Sequence, residues 1–173
     1  MMKVKKIAAT AMIAAFTTIT SHIIFVPVGL AKIFPVQHFA NIVTAVLFGP
    51  TYALAQAFVV SVIRNLAGTG SFLAFPGSMI GAFLAGWLYT KTKRMEFAFL
   101  GEVIGTGVLG ALAAYPIAEL LFGQEAAIFG LVPAFALSSI AGAVMGYSLL
   151  KVIMKNRAIG GLLHENSTNH RRL

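Results

Sequence analysis

Long apolar stretches separated by short polar punctuation dominate the chain. A helix that spans a bilayer needs about 20 apolar residues. The first stretch, Ile7–Val26, has that length and stops at Pro27 and Gly29, residues that break helices. A loop from Pro27 to Gln37 follows. A second helix is predicted at His38–Phe48 and a third at Thr51–Leu66, divided by Gly49-Pro50. A turn with Gly68, Gly70 and Ser71 leads to a fourth helix, Ala74–Tyr89, closed by Lys91, Lys93 and Arg94. The fifth covers Phe97–Leu121 with Pro116 inside it, and the sixth covers Ile128–Met154 with Pro133 near its start. The second helix is short for a full span, so the second and third either both cross or form a re-entrant hairpin. Either way the chain returns to the side it came from.

The pattern thus predicts an all-α integral membrane protein, a six-transmembrane-helix bundle over 1–157 with a polar tail over 158–173. Composition agrees. Hydrophobic residues make up 58% of the 173 and charged residues 10%, against about 45–50% and 25% in soluble domains. Six helices use most of the chain, which leaves no room here for a nucleotide-driven motor. The N-terminal Lys3, Lys5 and Lys6 before an apolar run imitate a secretory signal. The run is longer than a typical signal core and five more follow, so it reads as a retained helix. With no cysteine, disulfides and thiolate chemistry are excluded.

The net charge of +8 would suggest nucleic acid in a soluble protein. Here its placement marks topology instead. With the N-terminus inside, the inner side holds Lys3, Lys5, Lys6, Lys91, Lys93, Arg94, Lys151, Lys155, Arg157, Arg171 and Arg172, which is 11 of the 13 basic residues. Only Lys32 lies in an outer loop, and Arg64 lies within the third helix. Lys and Arg favour the cytoplasmic side, so the expected orientation is N-in and C-in in the cytoplasmic membrane, with no nucleic-acid partner.

Topology gives the polar residues a depth. Toward the outer face fall His22, Gln37, His38, Asn41, Arg64, Asn65, Ser78, Tyr115 and Glu119. The inner half holds Tyr52, Gln56, Glu102 and Thr106. Polar groups within a bilayer face protein or a watery cavity, so their asymmetry predicts a cavity near the outer surface. His38 and Asn41 share a helix face, as do Ser61, Arg64 and Asn65, and Tyr115 and Glu119. Small residues form a second pattern. Gly77–Gly81–Ala85 and Ser138–Gly142–Gly146 suit close packing inside the bundle. On the first helix, Ala8, Ala11 and Ala15 offer a similar face, either to the bundle or to another protein. Motifs for catalysis, metal or nucleotide binding are absent, so a non-enzyme without a cofactor is expected.

Phe34-Pro35-Val36-Gln37-His38-Phe39-Ala40-Asn41, Leu47-Phe48-Gly49-Pro50, Arg64-Asn65-Leu66-Ala67-Gly68-Thr69-Gly70-Ser71 and Ala74-Phe75-Pro76-Gly77-Ser78 resemble the ThiW-like S components of energy-coupling factor transporters. The resemblance covers the chain from the first helix into the fourth. It implies the six-helix S-component fold, a transmembrane coupling subunit and two ABC ATPases as partners that use the ATP, and uptake of 4-methyl-5-(2-hydroxyethyl)thiazole, a thiamin precursor. It also implies that Ala11 and Ala15 contact the coupling subunit. A small aromatic alcohol suits an apolar pocket with a few oriented polar groups. Gln37, His38, Asn41, Arg64 and Asn65 are candidates for its nitrogen and hydroxyl, with Ser78 and Glu119 nearby. Phe34, Phe75 and Tyr115 are candidates for stacking on its ring. The alternative is a stand-alone, gradient-driven carrier or channel with Glu102 as proton relay, and a third possibility is a non-transporting membrane protein.

Overall fold

The computed structural model describes residues 3–28, 31–122 and 128–155. The tail expected over 158–173, with Arg171 and Arg172, lies outside them, as do Arg157 and the side chain of Lys32. The chain is helical: α1 (Lys3–Ile23), α2 (Pro35–Phe48), α3 (Pro50–Leu66), α4 (Ala74–Thr92), α5 (Met95–Ile104), a π-helical segment (Gly105–Gly110), α6 (Ala111–Phe122) and α7 (Ile128–Lys155). The π segment joins α5 to α6 without a break, so the described helices form six rods. Two of them, Met95–Leu120 and Leu131–Lys155, are long and apolar enough to cross a membrane.

One expectation is corrected between α1 and α2. The predicted loop Pro27–Gln37 is largely ordered. Strands β1 (Val26–Val28) and β2 (Ala31–Ile33) pair antiparallel, with Val26 opposite Ile33 and Val28 opposite Ala31. Pro27 cannot donate to a helical ladder but is tolerated in an edge strand, so α1 ends at Ile23 rather than Val26. Helix α2 then starts at Pro35, three residues earlier than His38. Pro35 sits in its first turn, where a missing N–H costs nothing. The Phe34 N–H donates to Ser138 Oγ at 2.9 Å and ties this start to α7.

Helix α2 is the centre of the bundle. At roughly 1.5 Å per residue its 14 residues reach only about 21 Å. Eleven of them are buried, which is the pattern of a core helix covered on all sides. Helix α7 lies directly on it. A Cβ at Gly142 would fall 2.2 Å from the Pro35 carbonyl oxygen, and one at Gly146 would fall 2.1 Å from Ile42 Cγ2. Helices α4 and α5 approach in the same way. A Cβ at Gly105 would meet Gly81 Cα at 2.7 Å, and one at Gly101 would meet the Ala85 nitrogen at 2.8 Å. Both predicted small-residue rows therefore serve internal packing. Between α2 and α3, Gly49 adopts φ +94°, a left-handed backbone that glycine tolerates, and Pro50 opens α3.

Alternating rod directions collect the basic clusters at one end. Lys6 Nζ lies 5.8 Å from the Tyr52 ring centre. Gly86 abuts Pro50 at the α2–α3 junction. The Tyr147 hydroxyl donates to Glu96 Oε1 at 3.4 Å, and Lys151 Nζ lies 5.9 Å from the Tyr147 ring. The starts of α1 and α5 and the ends of α4 and α7 thus share that end, and the β-hairpin and Arg64 occupy the other.

Candidate functional site

At the end away from the basic clusters the rods form a partly open cavity of about 90 Å³. Apolar cavities of about 150 Å³ hold benzene, so this space is on the scale of one small ring. The first turn of α2 contributes Phe34, Gln37 and His38, and the last turn of α3 contributes Arg64. Ser71, Ala74, Gly77 and Ser78 come from the start of α4 and the turn before it, Thr106 from the π segment, and Ala134, Phe135 and Ser138 from α7. Two short helices end to end at Gly49-Pro50 fold back on each other, which returns Arg64 to Gln37.

Arg64 forms one wall. It is 2% exposed. Its guanidinium carbon lies 3.8 Å from the Phe34 ring centre, a cation–π geometry. Nη1 donates to Gln37 Oε1, Nη2 donates to the Thr69 carbonyl at 3.0 Å, and Gln37 Nε2 donates to Ser61 Oγ at 3.3 Å. Two of five donor hydrogens are thereby used, and buried Nε has no partner among the described residues. Such orphaned donors around a cavity mark where a bound molecule or water completes the bonding.

His38 forms the floor, and Glu102 lies beneath it. His38 Nδ1 and Glu102 Oε1 are 2.8 Å apart. The same oxygen accepts from Asn41 Nδ2 at 3.0 Å, and Thr106 Oγ1 lies 3.2 Å from it. The other Asn41 Nδ2 hydrogen is shared between the Ser78 carbonyl at 3.2 Å and Ser78 Oγ at 3.0 Å. Glu102 and Asn41 are fully buried. Glu102 and Thr106, expected in the inner half, thus meet His38 and Asn41, expected toward the outer face. Depth counted from helix ends fails here because central α2 is shorter than the rods around it. His38 and Asn41 therefore reach the level of Glu102.

Of the residues expected at the site, Phe34, Gln37, His38, Arg64 and Ser78 line the cavity, and Asn41 lies beneath it, bonded to Ser78. Asn65 instead braces the α3–α4 turn, donating to the carbonyls of Ser61 at 2.8 Å and Ser71 at 3.1 Å. Phe75 packs on Phe58 and Phe72, with ring centres 5.9 and 6.4 Å away. Tyr115 is half-buried, Glu119 is exposed, and neither lines the cavity. Phe34 presents one ring face to Arg64, and Phe135 is a second aromatic lining residue. Thr106, Phe135 and Ser138 were not expected at the site. The four-residue step from Glu102 to Thr106 and the three-residue step from Phe135 to Ser138 were the available signals.

A helical bundle with a small cavity lined by oriented donors has the architecture of a small-solute-binding protein. The chain belongs to the thiamine-precursor transporter (ThiW) family, whose model matches residues 7–156. Comparison with curated proteins gives no match.

Proposed function

We propose that the protein is the substrate-capture S component of an energy-coupling factor importer and binds 4-methyl-5-(2-hydroxyethyl)thiazole. In this reading all six rods cross the cytoplasmic membrane, with the basic end and both termini inside and the cavity toward the outside. The observation that carries it is the cavity at the end opposite the basic clusters, since Lys and Arg favour the cytoplasmic side. Family membership supplies the substrate class. An uncharged aromatic alcohol matches a ring-sized space with an aromatic wall, a cationic donor at Arg64 and a polar floor at His38 and Ser78. Detergent-purified protein is expected to bind the thiazole saturably and more tightly than thiamin or its pyrimidine precursor. Tight binding of the pyrimidine with none of the thiazole would overturn the substrate.

The energising partners in this reading are a transmembrane coupling subunit and two ABC ATPases. What supports their docking is the outward face of α1. Thr10, Ala14, Thr17 and Ser21 are buried against the bundle, while Ala8, Ala11 and Ala15 are exposed. A face of small residues lets another helix approach closely. Ala11→Trp and Ala15→Trp are expected to abolish co-purification with the coupling subunit and leave thiazole binding within about twofold, because the indoles project away from the cavity. Undiminished assembly would remove α1 as the docking face.

A further inference from the structure

We propose that Glu102 is a positioning residue that fixes the ring tautomer of His38, so that the cavity offers the Nε2 lone pair and selects ligands carrying a hydroxyl or N–H donor. The inference deepens the proposed substrate site and rests on that reading of the cavity.

The hydrogen-bond directions follow from atoms that have no choice. A backbone carbonyl only accepts, so the Ser78 carbonyl at 3.2 Å fixes the Asn41 amide with its NH₂ toward α4 and α5. That NH₂ donates to Glu102 Oε1, which is therefore an acceptor. A carboxylate only accepts, so with Glu102 as carboxylate His38 Nδ1, 2.8 Å from the same oxygen, carries its hydrogen. In a neutral imidazole a hydrogen on Nδ1 leaves Nε2 as an acceptor. His38 lines the cavity and makes no other hydrogen bond among the described residues. Nε2 is thus the ring atom left for a bound molecule.

The rest of the cluster locks this choice. The Thr106 hydroxyl spans the Gly77 carbonyl at 3.1 Å and Glu102 Oε1 at 3.2 Å. Gly81 leaves room for both, since a Cβ there would lie 2.0 Å from Thr106 Oγ1 and 3.1 Å from Glu102 Oε2. The cavity consequently has an accepting pole at His38 and a donating pole at Arg64. A ligand with a donor at one end and an acceptor at the other is oriented between them. A thiazole alcohol has both, with its hydroxyl for His38 and its ring nitrogen for Arg64.

The test compares the hydroxyethylthiazole with its O-methyl ether, which accepts but cannot donate. Wild-type protein is expected to bind the ether at least about tenfold more weakly, because Nε2 is left without a partner. In Glu102→Gln the amide oxygen can still accept from Asn41 Nδ2 and His38 Nδ1, so the preference for the alcohol should persist, whereas in Glu102→Leu nothing holds the ring hydrogen on Nδ1 and the preference should shrink to about twofold or invert. Val108→Ala, on the π segment but exposed and outside the cavity lining, should keep the preference. Equal binding of alcohol and ether by wild type would overturn the accepting pole while leaving the cavity as a thiazole site. Binding of neither probe would overturn the substrate reading instead. The ring is then read directly by nitrogen-15 NMR of histidine-labelled protein, with His38 assigned through His38→Gln. A neutral Nδ1–H ring in wild type supports the proposal whatever the ligand, and an Nε2–H tautomer or a doubly protonated ring overturns it. The NMR readout also serves if Glu102→Leu fails to fold.

Discussion

Arg64→Met is expected to weaken thiazole binding by about 3 kcal/mol, on the order of a hundredfold in Kd, while the protein stays folded. The guanidinium keeps three of its five donor hydrogens unspent, with Nε buried and unpartnered. A hydrogen bond from a charged donor contributes about 1.5–3 kcal/mol, and a ring nitrogen in the cavity would take one or two of them. Methionine preserves much of the apolar contact with Phe34, so the change removes the donors and the cation over the ring while keeping the volume. The stability effect has two opposed parts. Gln37 Oε1 and the Thr69 carbonyl lose a donor, but a buried cation without a carboxylate partner among the described residues is removed, and replacing buried charge by apolar volume is often neutral. Isothermal titration and thermal unfolding in detergent check both halves. A Kd within threefold of wild type would remove Arg64 from the binding surface.

Gly105→Ala is expected to destabilise the bundle. The added Cβ would meet Gly81 Cα at 2.7 Å and the Ile80 carbonyl oxygen at 3.1 Å. These are backbone atoms of a neighbouring helix, so no rotamer relieves them and α4 must move away from the π segment. Overpacking of this kind costs about 1–3 kcal/mol, or roughly 3–10 °C in melting temperature at this chain length. The displaced helix carries Gly77, Ser78 and Gly81, which frame the floor of the cavity, so thiazole affinity should fall in parallel. Val108→Ala, on the same segment but exposed, should change melting little. A Gly105→Ala protein that melts like wild type would mean that α4 and the π segment separate at no cost.

Part of this site could be read in one dimension. The Gln37-His38 and Arg64 blocks stand out because polar residues interrupt apolar runs there, and such interruptions are tolerated only where protein or water satisfies them. The rest depended on neighbours. Tyr115 and Glu119 share a face at four-residue spacing, but that spacing does not say which neighbour the face meets. The structure turns it away from the cavity. Asn65 stood beside Arg64 with the same local pattern, yet its amide is consumed by two carbonyls of its own turn. Glu102 looked isolated because its partner His38 is 64 residues away.

The sequence by itself determined that the chain is a bundle of apolar helices, which residues are small enough for close packing, and that the basic residues fall in a few clusters. These are local matters of propensity, period and desolvation, settled within one or two turns. Only the tertiary structure decided that short α2 is the core, that Pro27 joins a hairpin, and that His38, Asn41, Glu102 and Thr106 converge beneath Arg64. The physical reason is that a helical pattern fixes a face but not the partner it meets. The partner is chosen by how closely backbones can approach, and here glycines at 81, 105, 142 and 146 set that approach and so set which polar groups meet.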